Sequence, residues 1–382
     1  MLICFVFNLC SLIWIHDKSL LITSSLGNEI FNHQKKIMKR YFFYILIIIS
    51  FISCKDNQTK NDGKTGDNKI SENKVFLSSW SDAARSRIET WVKEVTNASS
   101  SYFIPIADRV AVFDNDGTLW VEQPVYTQFL FAIDNLKAMA PSHPEFQKDP
   151  VLKGVINRDM ETLKKAGIPG LLKVINASHN EQTEETFNTA VRNWMETTKD
   201  KKFGRTYKEL IYLPMVELLE FLRANDFKTF IVSGGGADFM RAFAEEVYGV
   251  PPYQVIGSYG DAKYEVIDSK PVVTKTSGAP FVDDKAGKPV GIHRFIGKVP
   301  VFCAGNSDGD QAMLQYTSGS KYKSFCMIVH HTDSVREYQY DSPSSVGHLE
   351  TALAEAKEKN WMVVDMKNDF KRIFDFQQQS MQ

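Results

Sequence analysis

The sequence predicts an α/β protein in which helices cover both faces of a doubly wound, Rossmann-like parallel sheet. Short apolar runs alternate with helix-length amphipathic segments over much of residues 109–365, and this alternation is typical of such sheets. Three of the runs end directly in polar, glycine-containing segments, which begin at Asp114, Ser233 and Gly305. Because ligands of such sheets bind beyond the carboxyl ends of the strands, we expect the three segments to meet at one site.

The strands and helices are predicted from apolar periodicity and from the residues that end each run. Short apolar runs predict strands at 109–113, 227–232, 299–304, 323–330 and 361–365. Apolar residues at helical spacing predict helices at 214–225, 237–248 and 348–359. Residues 259–282 alternate in polarity, which indicates a β-hairpin.

Residues 121–208 separate the first two predicted strands and are too many for a plain crossover. They contain helical patterns at 123–139, 150–166 and 182–198, with few strand signals. We therefore expect an inserted helical cap domain over the carboxyl edge of the sheet. The α/β core would then comprise 75–120 and 209–382.

Residues 38–54 have the layout of a secretory signal. A Lys-Arg pair follows Met38, residues 41–52 are apolar, and a serine precedes Cys54. The apolar run is shorter than the roughly 20 residues that span a bilayer. Residues 51–54 resemble a bacterial lipoprotein cleavage box, which implies that Cys54 becomes the lipidated first residue; an uncleaved membrane anchor is the alternative.

We therefore expect an exported, membrane-anchored protein, periplasmic or at the cell surface, with a lipid bilayer as partner. Residues 1–54 would be a leader. A second apolar run at 2–15 lies upstream of this signal. Because two export signals in tandem make little physical sense, we expect the true start at Met38. Residues 55–74 are almost without apolar side chains and predict a flexible tether. The folded part would begin near Val75.

The charge balance argues against a nucleic-acid partner. The 382 residues include 45 Lys and Arg against 46 Asp and Glu, a net charge of −1, whereas nucleic-acid binders carry a basic excess. The five cysteines do not indicate a disulfide framework. Cys303 and Cys326 lie in apolar strand-like runs and are interpreted as small buried hydrophobic residues.

Asp114 and Asp116 follow the first predicted strand and flank Asn115 in a tight loop. Two carboxylates at this spacing can take different roles: one ligates a cation and attacks phosphorus, and the other handles the proton. Mg²⁺ suits carboxylate and carbonyl oxygens and leaves room for a substrate phosphate.

Two further segments complete this chemistry. Ser233 and the glycines that begin at Gly234 offer a hydroxyl and backbone N–H groups to an anion. A lysine is needed to offset the charge of carboxylate and phosphate, and the candidates are Lys285 and Lys288, with Lys288 preferred because the proline after it suits a helix start.

The third polar segment, 305–310, supplies amide and carboxylate oxygens at the next strand end. Asn306, Asp308 and Asp310 could each coordinate a cation. Each of the three segments alone is commonly only a turn or a surface loop. Their order, each after its own hydrophobic strand, makes the combination specific.

These segments resemble the four motifs of the haloacid dehalogenase superfamily, in its phosphoserine-phosphatase-like branch. The motifs are Val-Phe-Asp-Asn-Asp-Gly-Thr-Leu at 112–119, Phe-Ile-Val-Ser-Gly-Gly-Gly at 230–236, a lysine, and Phe-Cys-Ala-Gly-Asn-Ser-Asp-Gly-Asp at 302–310. The resemblance covers about 109–329 and implies that Asp114 is the nucleophile and a metal ligand. Asp116 would be the general acid and base and would bind the metal through its backbone carbonyl.

The resemblance also implies that Ser233 binds phosphate and that Lys288 or Lys285 is the motif-three lysine. The fourth motif departs from the usual pattern, which begins Gly-Asp with a second Asp four positions later: Asn306 follows Gly305 here, and Asp310 takes the later position. Asn306 and Asp310 are the expected metal ligands, and Asp310 or Asp308 could coordinate instead of Asn306.

The residue set favours a Mg²⁺-dependent phosphatase that hydrolyses small-molecule phosphomonoesters through an aspartyl-phosphate. Asp116 argues against dehalogenation, which needs the nucleophile but no second aspartate as general acid. Two alternatives stay open. The chain could be a catalytically weak lipoprotein that binds a phosphate ligand or a partner, or a phosphotransferase.

His330 and His331 follow the fourth strand and could orient the site, although a plain loop is the simpler interpretation.

Overall fold

The computed structural model describes residues 76–276 and 281–377, all within a single compact unit. The predictions for the leader, for Cys54 and Met38, and for the tether fall outside the described residues.

Six parallel strands form the central sheet, which confirms the predicted fold class. In sequence order the strands are β1 (Val110–Phe113), β2 (Lys228–Gly236), β3 (Val255–Ser258), β4 (Ala262–Ile267), β5 (Lys270–Lys275), β6 (Phe302–Gly305), β7 (Phe325–His330) and β8 (Met362–Asp365). The sheet order is β3-β2-β1-β6-β7-β8, and β4 and β5 pair antiparallel in a separate hairpin. Since β1 lies between β2 and β6, the carboxyl ends of these three strands are neighbours.

Helices precede the sheet, intervene between its strands and follow it. The α-helices are α1 (Asp82–Thr96), α2 (Thr127–Met139), α3 (Pro150–Ile156), α4 (Met160–His179), α5 (Glu184–Thr197), α6 (Leu213–Ala224), α7 (Ala237–Arg241), α8 (Ala244–Tyr248), α9 (Gly287–Phe295), α10 (Gln311–Ser318), α11 (Thr351–Lys359) and α12 (Met366–Asp369). Single 3₁₀ turns occupy Ile106–Asp108, Pro144–Lys148, Tyr207–Glu209, Pro252–Gln254 and Asp308–Asp310.

Alternate side chains of the central strands enter two different hydrophobic clusters. Ala111 and Phe113 of β1 belong to the larger cluster, which α1 and α6 cover. Val110 and Val112 belong to a second cluster, which α9, α10 and α11 cover. Because successive strand residues point to opposite faces, β1 is buried on both sides by layers of helices.

Two predicted helices are wrong in extent. The pattern at 150–166 is two helices, because Asp159 caps α4 by accepting a hydrogen bond from the Thr162 amide and Arg158 takes a positive φ of 64° before it. The α4 helix then continues past 166, across a kink at Gly167. The helix predicted at 237–248 is also two short helices, with Phe243 leaving helical geometry at φ −135°.

Other differences concern strands and the amino-terminal part. Strand β2 continues through its glycines to Gly236, where a loop was expected after Val232. Strand β3 and helix α1 were not predicted, although Ser81 caps α1 by accepting from the Ala84 amide.

The helices α2, α3 and α4 of the inserted segment share a small hydrophobic cluster of their own. This arrangement is compatible with a cap, whose domain boundaries stay a prediction. None of the helices within 76–276 and 281–377 has the length and apolar character needed to cross a bilayer.

Candidate active site

The three polar segments meet at the carboxyl edge of the sheet, where they line a pocket of about 270 Å³. The sheet order places them there, since β1, β2 and β6 are adjacent. Helices α2 and α4 form the opposite wall. The lining residues are Asp114, Asp116, Glu122, Tyr126, Gln128, Phe129, Leu171, Leu172, Ile175, Ser233, Gly234, Gly235, Val282, Asp284, Lys288, Ser307 and Asp310.

The loop after β1 is a tight turn that aims two aspartates at the pocket. The Asn115 carbonyl accepts hydrogen bonds from the amides of Thr118 (3.1 Å) and Leu119 (2.8 Å). Gly117 takes a φ of +75°, and a Cβ there would lie 2.1 Å from the Asn306 side-chain nitrogen. Glycine is therefore required at 117 both by its conformation and by the close approach of Asn306.

Lys288 connects the first and fourth motifs. Its Nζ lies 2.5 Å from Asp114 Oδ1 and 2.7 Å from Asp310 Oδ1, and it donates to the Val232 carbonyl at 2.9 Å. The side chain is only 2% exposed. Lys285, the other predicted candidate, has an exposed side chain on the loop before α9. The structure therefore brings Lys288, and not Lys285, to Asp114.

Burial and neighbouring charge shift the proton affinities of these groups. Burial raises the pKa of Asp114 well above its usual range, as does the Asp310 charge, while Lys288 opposes both effects. Burial also raises the pKa of Asp116, to about 6, although the Trp120 indole, whose N–H donates to Asp116 Oδ1 at 2.8 Å, lowers it. A carboxyl group with a pKa near 6 can both give and take a proton near neutral pH.

The second motif faces a residue that the sequence did not indicate. Ser233 is 1% exposed and accepts from the Gly235 amide at 3.1 Å. The Gly236 amide donates to the side-chain oxygen of Gln128, on α2, at 2.7 Å. Gly234 lines the pocket beside Ser233. The inserted helices therefore contact the predicted phosphate loop directly.

The three polar residues of the fourth motif have separate roles. Asn306 and Asp310 are both 1% exposed, and Asp310 Oδ2 accepts from the amides of Asn306 (2.9 Å) and Ser307 (3.0 Å). Asp308 instead accepts from the amides of Glu350, Thr351 and Ala352 at the start of α11. Asp308 therefore caps a helix, whereas Asn306 and Asp310 face the site.

Glu122 is a site residue that sequence reasoning missed. It is 2% exposed, and its Oε1 accepts hydrogen bonds from Asn306 Nδ2 at 2.6 Å and from the Tyr340 hydroxyl at 2.8 Å. Burial, with the charges of Asp116 and Asp114, raises its pKa well above the usual range. An acidic residue directly after Trp120 and Val121, in an apolar stretch that continues the first motif, was the available signal.

His331 supports the loop after β1. Its Nε2 lies 2.7 Å from the Gly117 carbonyl oxygen, and its Nδ1 lies 3.1 Å from Glu337 Oε2. Tyr212 donates to the other oxygen of Glu337 at 3.0 Å. His331 is 1% exposed and is not among the pocket-lining residues, so it supports the Gly117 turn and does not touch substrate. His330 is half-buried.

Part of the chain matches a known family. Residues 109–283 match the family model of haloacid dehalogenase-like hydrolases. The matched part runs from the start of β1 to the loop before α9. A search of curated proteins gave no match.

Solved structures similar to this chain share little sequence with it. A functionally unknown protein from Anaerococcus prevotii DSM 20548 is 13% identical, over 74% of this chain and 90% of its own, with a TM-score of 0.46. A protein with unknown function from Bordetella pertussis Tohama I is 15% identical, over 68% and 98%, at 0.42. A phosphoserine phosphohydrolase-like protein from Francisella tularensis subsp. tularensis SCHU S4 is 16% identical, over 66% and 98%, at 0.33.

The donor atoms of the site fit a hard cation. Within 76–276 and 281–377, no group of three or more His, Cys, Asp or Glu side chains is arranged to hold a metal, so a cation would also need amide or backbone oxygens. Asn306 Oδ1 and Asp114 Oδ2 lie 3.1 and 3.5 Å from the same Thr118 hydroxyl and therefore converge. Four buried or half-buried carboxylates, Asp114, Asp116, Glu122 and Asp310, face one ammonium group, that of Lys288, which leaves negative charge for a cation to balance.

Trp120→Phe is expected to raise the pKa of Asp116 and so to shift the pH dependence of kcat/KM. The variant removes the indole N–H that stabilises the ionised carboxylate, so the pKa of Asp116 should rise from about 6. If Asp116 donates a proton in the rate-limiting step, the alkaline limb of the kcat/KM profile should shift upward, by about one pH unit for one charge-stabilising hydrogen bond. A pH–rate profile checks this, with Trp194→Phe as a matched control, and an unchanged alkaline limb would exclude Asp116 as the titrating acid.

Proposed function

We propose that this protein is a Mg²⁺-dependent phosphatase that hydrolyses small-molecule phosphomonoesters through an aspartyl-phosphate on Asp114. The observation that carries the proposal is the pairing of a buried, lysine-bound Asp114 with a second carboxylate, Asp116, whose pKa is raised to about 6. A nucleophile and a proton carrier then face the same pocket.

The residues divide the reaction between them. Asp114 attacks phosphorus through one carboxylate oxygen, while Lys288 holds the carboxylate in place. The bond between phosphorus and the ester oxygen breaks, and Asp116 protonates the departing alkoxide. Asp116 then takes a proton from water, whose oxygen attacks the phosphorus of the aspartyl-phosphate and releases Asp114 and inorganic phosphate.

The remaining groups bind and orient the phosphate. Ser233 and Gly234 line the pocket, and the Ser233 hydroxyl and the Gly234 amide would donate to phosphate oxygens. A bound Mg²⁺, held by oxygens of Asp114, Asn306 and the Asp116 backbone, would supply positive charge against the phosphate oxygens. Lys288 holds Asp114 in place and opposes the rise in its pKa that burial causes.

The walls of the pocket favour a neutral leaving group. Apolar side chains of the inserted helices and of the loop before α9 also line the pocket, namely Phe129, Leu171, Leu172, Ile175 and Val282. Lys288 is the one basic residue among the lining residues that the structure describes, and two carboxylates already pair with it. A substrate carboxylate would therefore lose water without gaining a counter-charge.

Asp114→Asn should abolish turnover of an aryl phosphate in the presence of Mg²⁺. Loss of the nucleophile is expected to lower kcat by at least about 1,000-fold, and Lys288→Ala should lower it by about 100-fold or more. The matched control is Lys285→Ala, because Lys285 is exposed and should leave kcat within about twofold.

Three results would contradict the proposal: activity in Asp114→Asn, activity that survives strong chelation, or no turnover over a broad panel of phosphate esters. The last would favour the catalytically weak binding protein. Transfer of phosphate to added alcohols, seen in the products, would instead favour a phosphotransferase.

Phenyl phosphate should be hydrolysed with a higher kcat/KM than 4-carboxyphenyl phosphate. The two esters differ in one carboxylate, and burying it unpaired is expected to cost at least about tenfold. Leu171→Lys places a cation on the apolar wall and should narrow the difference, whereas Val335→Lys, at a position that is 85% exposed, should not. Equal kcat/KM values for the two esters would refute a neutral leaving-group site.

We further propose that the protein is exported and anchored to a bilayer through lipidated Cys54. The proposal rests on the signal-like residues 38–54. Mass spectrometry of the mature amino terminus should find a diacylated peptide that begins at Cys54, and Cys54→Ala should release the protein from the membrane fraction. An unmodified Cys54 within an uncleaved leader would support the simple anchor instead.

A further inference from the structure

The side-chain amide of Asn306 is held in one orientation by two neighbours. Its Oδ1 accepts from the Thr118 hydroxyl at 3.1 Å, and its Nδ2 donates to Glu122 Oε1 at 2.6 Å. A carboxylate accepts hydrogen bonds and donates none, so Glu122 selects the nitrogen of the amide. The amide oxygen consequently faces Thr118 and Asp114.

The Glu122 carboxylate fills a space that two glycines leave open. A Cβ on Gly117 would lie 2.3 Å from Glu122 Oε1, and a Cβ on Gly347 would lie 2.1 Å from it. Tyr340 donates a second hydrogen bond to the same oxygen at 2.8 Å. The local structure around the nucleophile loop is therefore built to hold a carboxylate against Asn306.

An aspartate at 306 would be incompatible with this arrangement. Its carboxylate would face the carboxylate of Glu122 at the 2.6 Å that now separates a donor from an acceptor. Two carboxylates this close cannot both stay ionised in a buried site. The amide at 306 removes that conflict, and Glu122 brings to the site the carboxyl group that an amide lacks.

We propose that Glu122 and Asn306 form a matched pair that builds the cation site, with Glu122 as a positioning residue. Glu122 fixes the Asn306 oxygen toward Asp114 and keeps the charge of the site at four carboxylates and one lysine. Asn306 thus takes the place of the usual aspartate of the fourth motif, and Glu122 provides a carboxylate beside it. The substitution therefore does not remove metal binding. This inference rests on the proposed function only because Mg²⁺ is taken as the cation.

Charge-exchange variants test the pair: Glu122→Gln, Asn306→Asp and the double variant. Glu122→Gln keeps a hydrogen bond to Asn306 through its amide oxygen but loses the charge, so Mg²⁺ affinity by titration calorimetry should fall at least about tenfold, with the melting temperature of the metal-free protein not lowered. Asn306→Asp should lower that melting temperature through the buried carboxylate pair. The double variant has a donor at 122 and a carboxylate at 306, the reverse of wild type. It should regain the wild-type melting temperature without metal and a Mg²⁺ affinity within about threefold of wild type.

Glu217→Gln is the matched control. Glu217 is a half-buried carboxylate that accepts from Ser78 and Ser79, outside the pocket, and its change should leave Mg²⁺ affinity unaltered. Additive effects in the double variant, or a Glu122→Gln protein with wild-type Mg²⁺ affinity, would overturn the matched pair. Wild-type protein that binds no Mg²⁺ would overturn the cation site, whereas wild-type protein that binds Mg²⁺ without hydrolysing any ester would count against the phosphatase alone.

Discussion

The arrangement of the site depends on one buried ammonium group between two carboxylates. Lys288 lies 2.5 Å from Asp114 and 2.7 Å from Asp310 and is 2% exposed. Burial would lower the pKa of Lys288, but these two carboxylates outweigh burial and raise it. Removing the lysine would leave two unpaired charges in a low-dielectric site, which is among the costliest changes a fold can suffer. The ion pairs therefore tie α9 to the ends of β1 and β6.

The loop after β1, which carries Asp114 and Asp116, has a second support from the segment after β7. His331, oriented by Glu337, contacts the Gly117 carbonyl oxygen, and Tyr340 stacks on the His331 ring at 4.2 Å while its hydroxyl donates to Glu122. Hydrogen-bonded buried networks of this kind restrict side chains to one arrangement. Asp114 and Asp116 thus lie on a turn that is fixed both from the β6 side and from the segment after β7.

The parts of the fold that sequence predicted are those with a local signal. Val110–Phe113 is a continuous apolar run and became a strand that is buried on both faces. Strand β3 was missed because its four residues, Val255–Ser258, include a glycine and are too short for a periodic pattern. The break between α3 and α4 was missed because it depends on a left-handed Arg158 and a capping Asp159, within a run whose apolar spacing continues unbroken.

The sequence by itself predicted the polar residues that meet at the site and the order of the segments that carry them. Asp114, Asp116, Asn306 and Asp310 follow strands and Ser233 lies near the end of β2, and parallel strands side by side bring their carboxyl ends together. Only the tertiary structure decided between Lys285 and Lys288, turned Asp308 away to cap α11, and brought Glu122, Gln128 and His331 to the site. Those outcomes depend on distances between residues far apart in the chain, such as the 184 positions that separate Glu122 from Asn306. Local spacing carries no information about contacts of that kind, because they arise from the packing of whole elements.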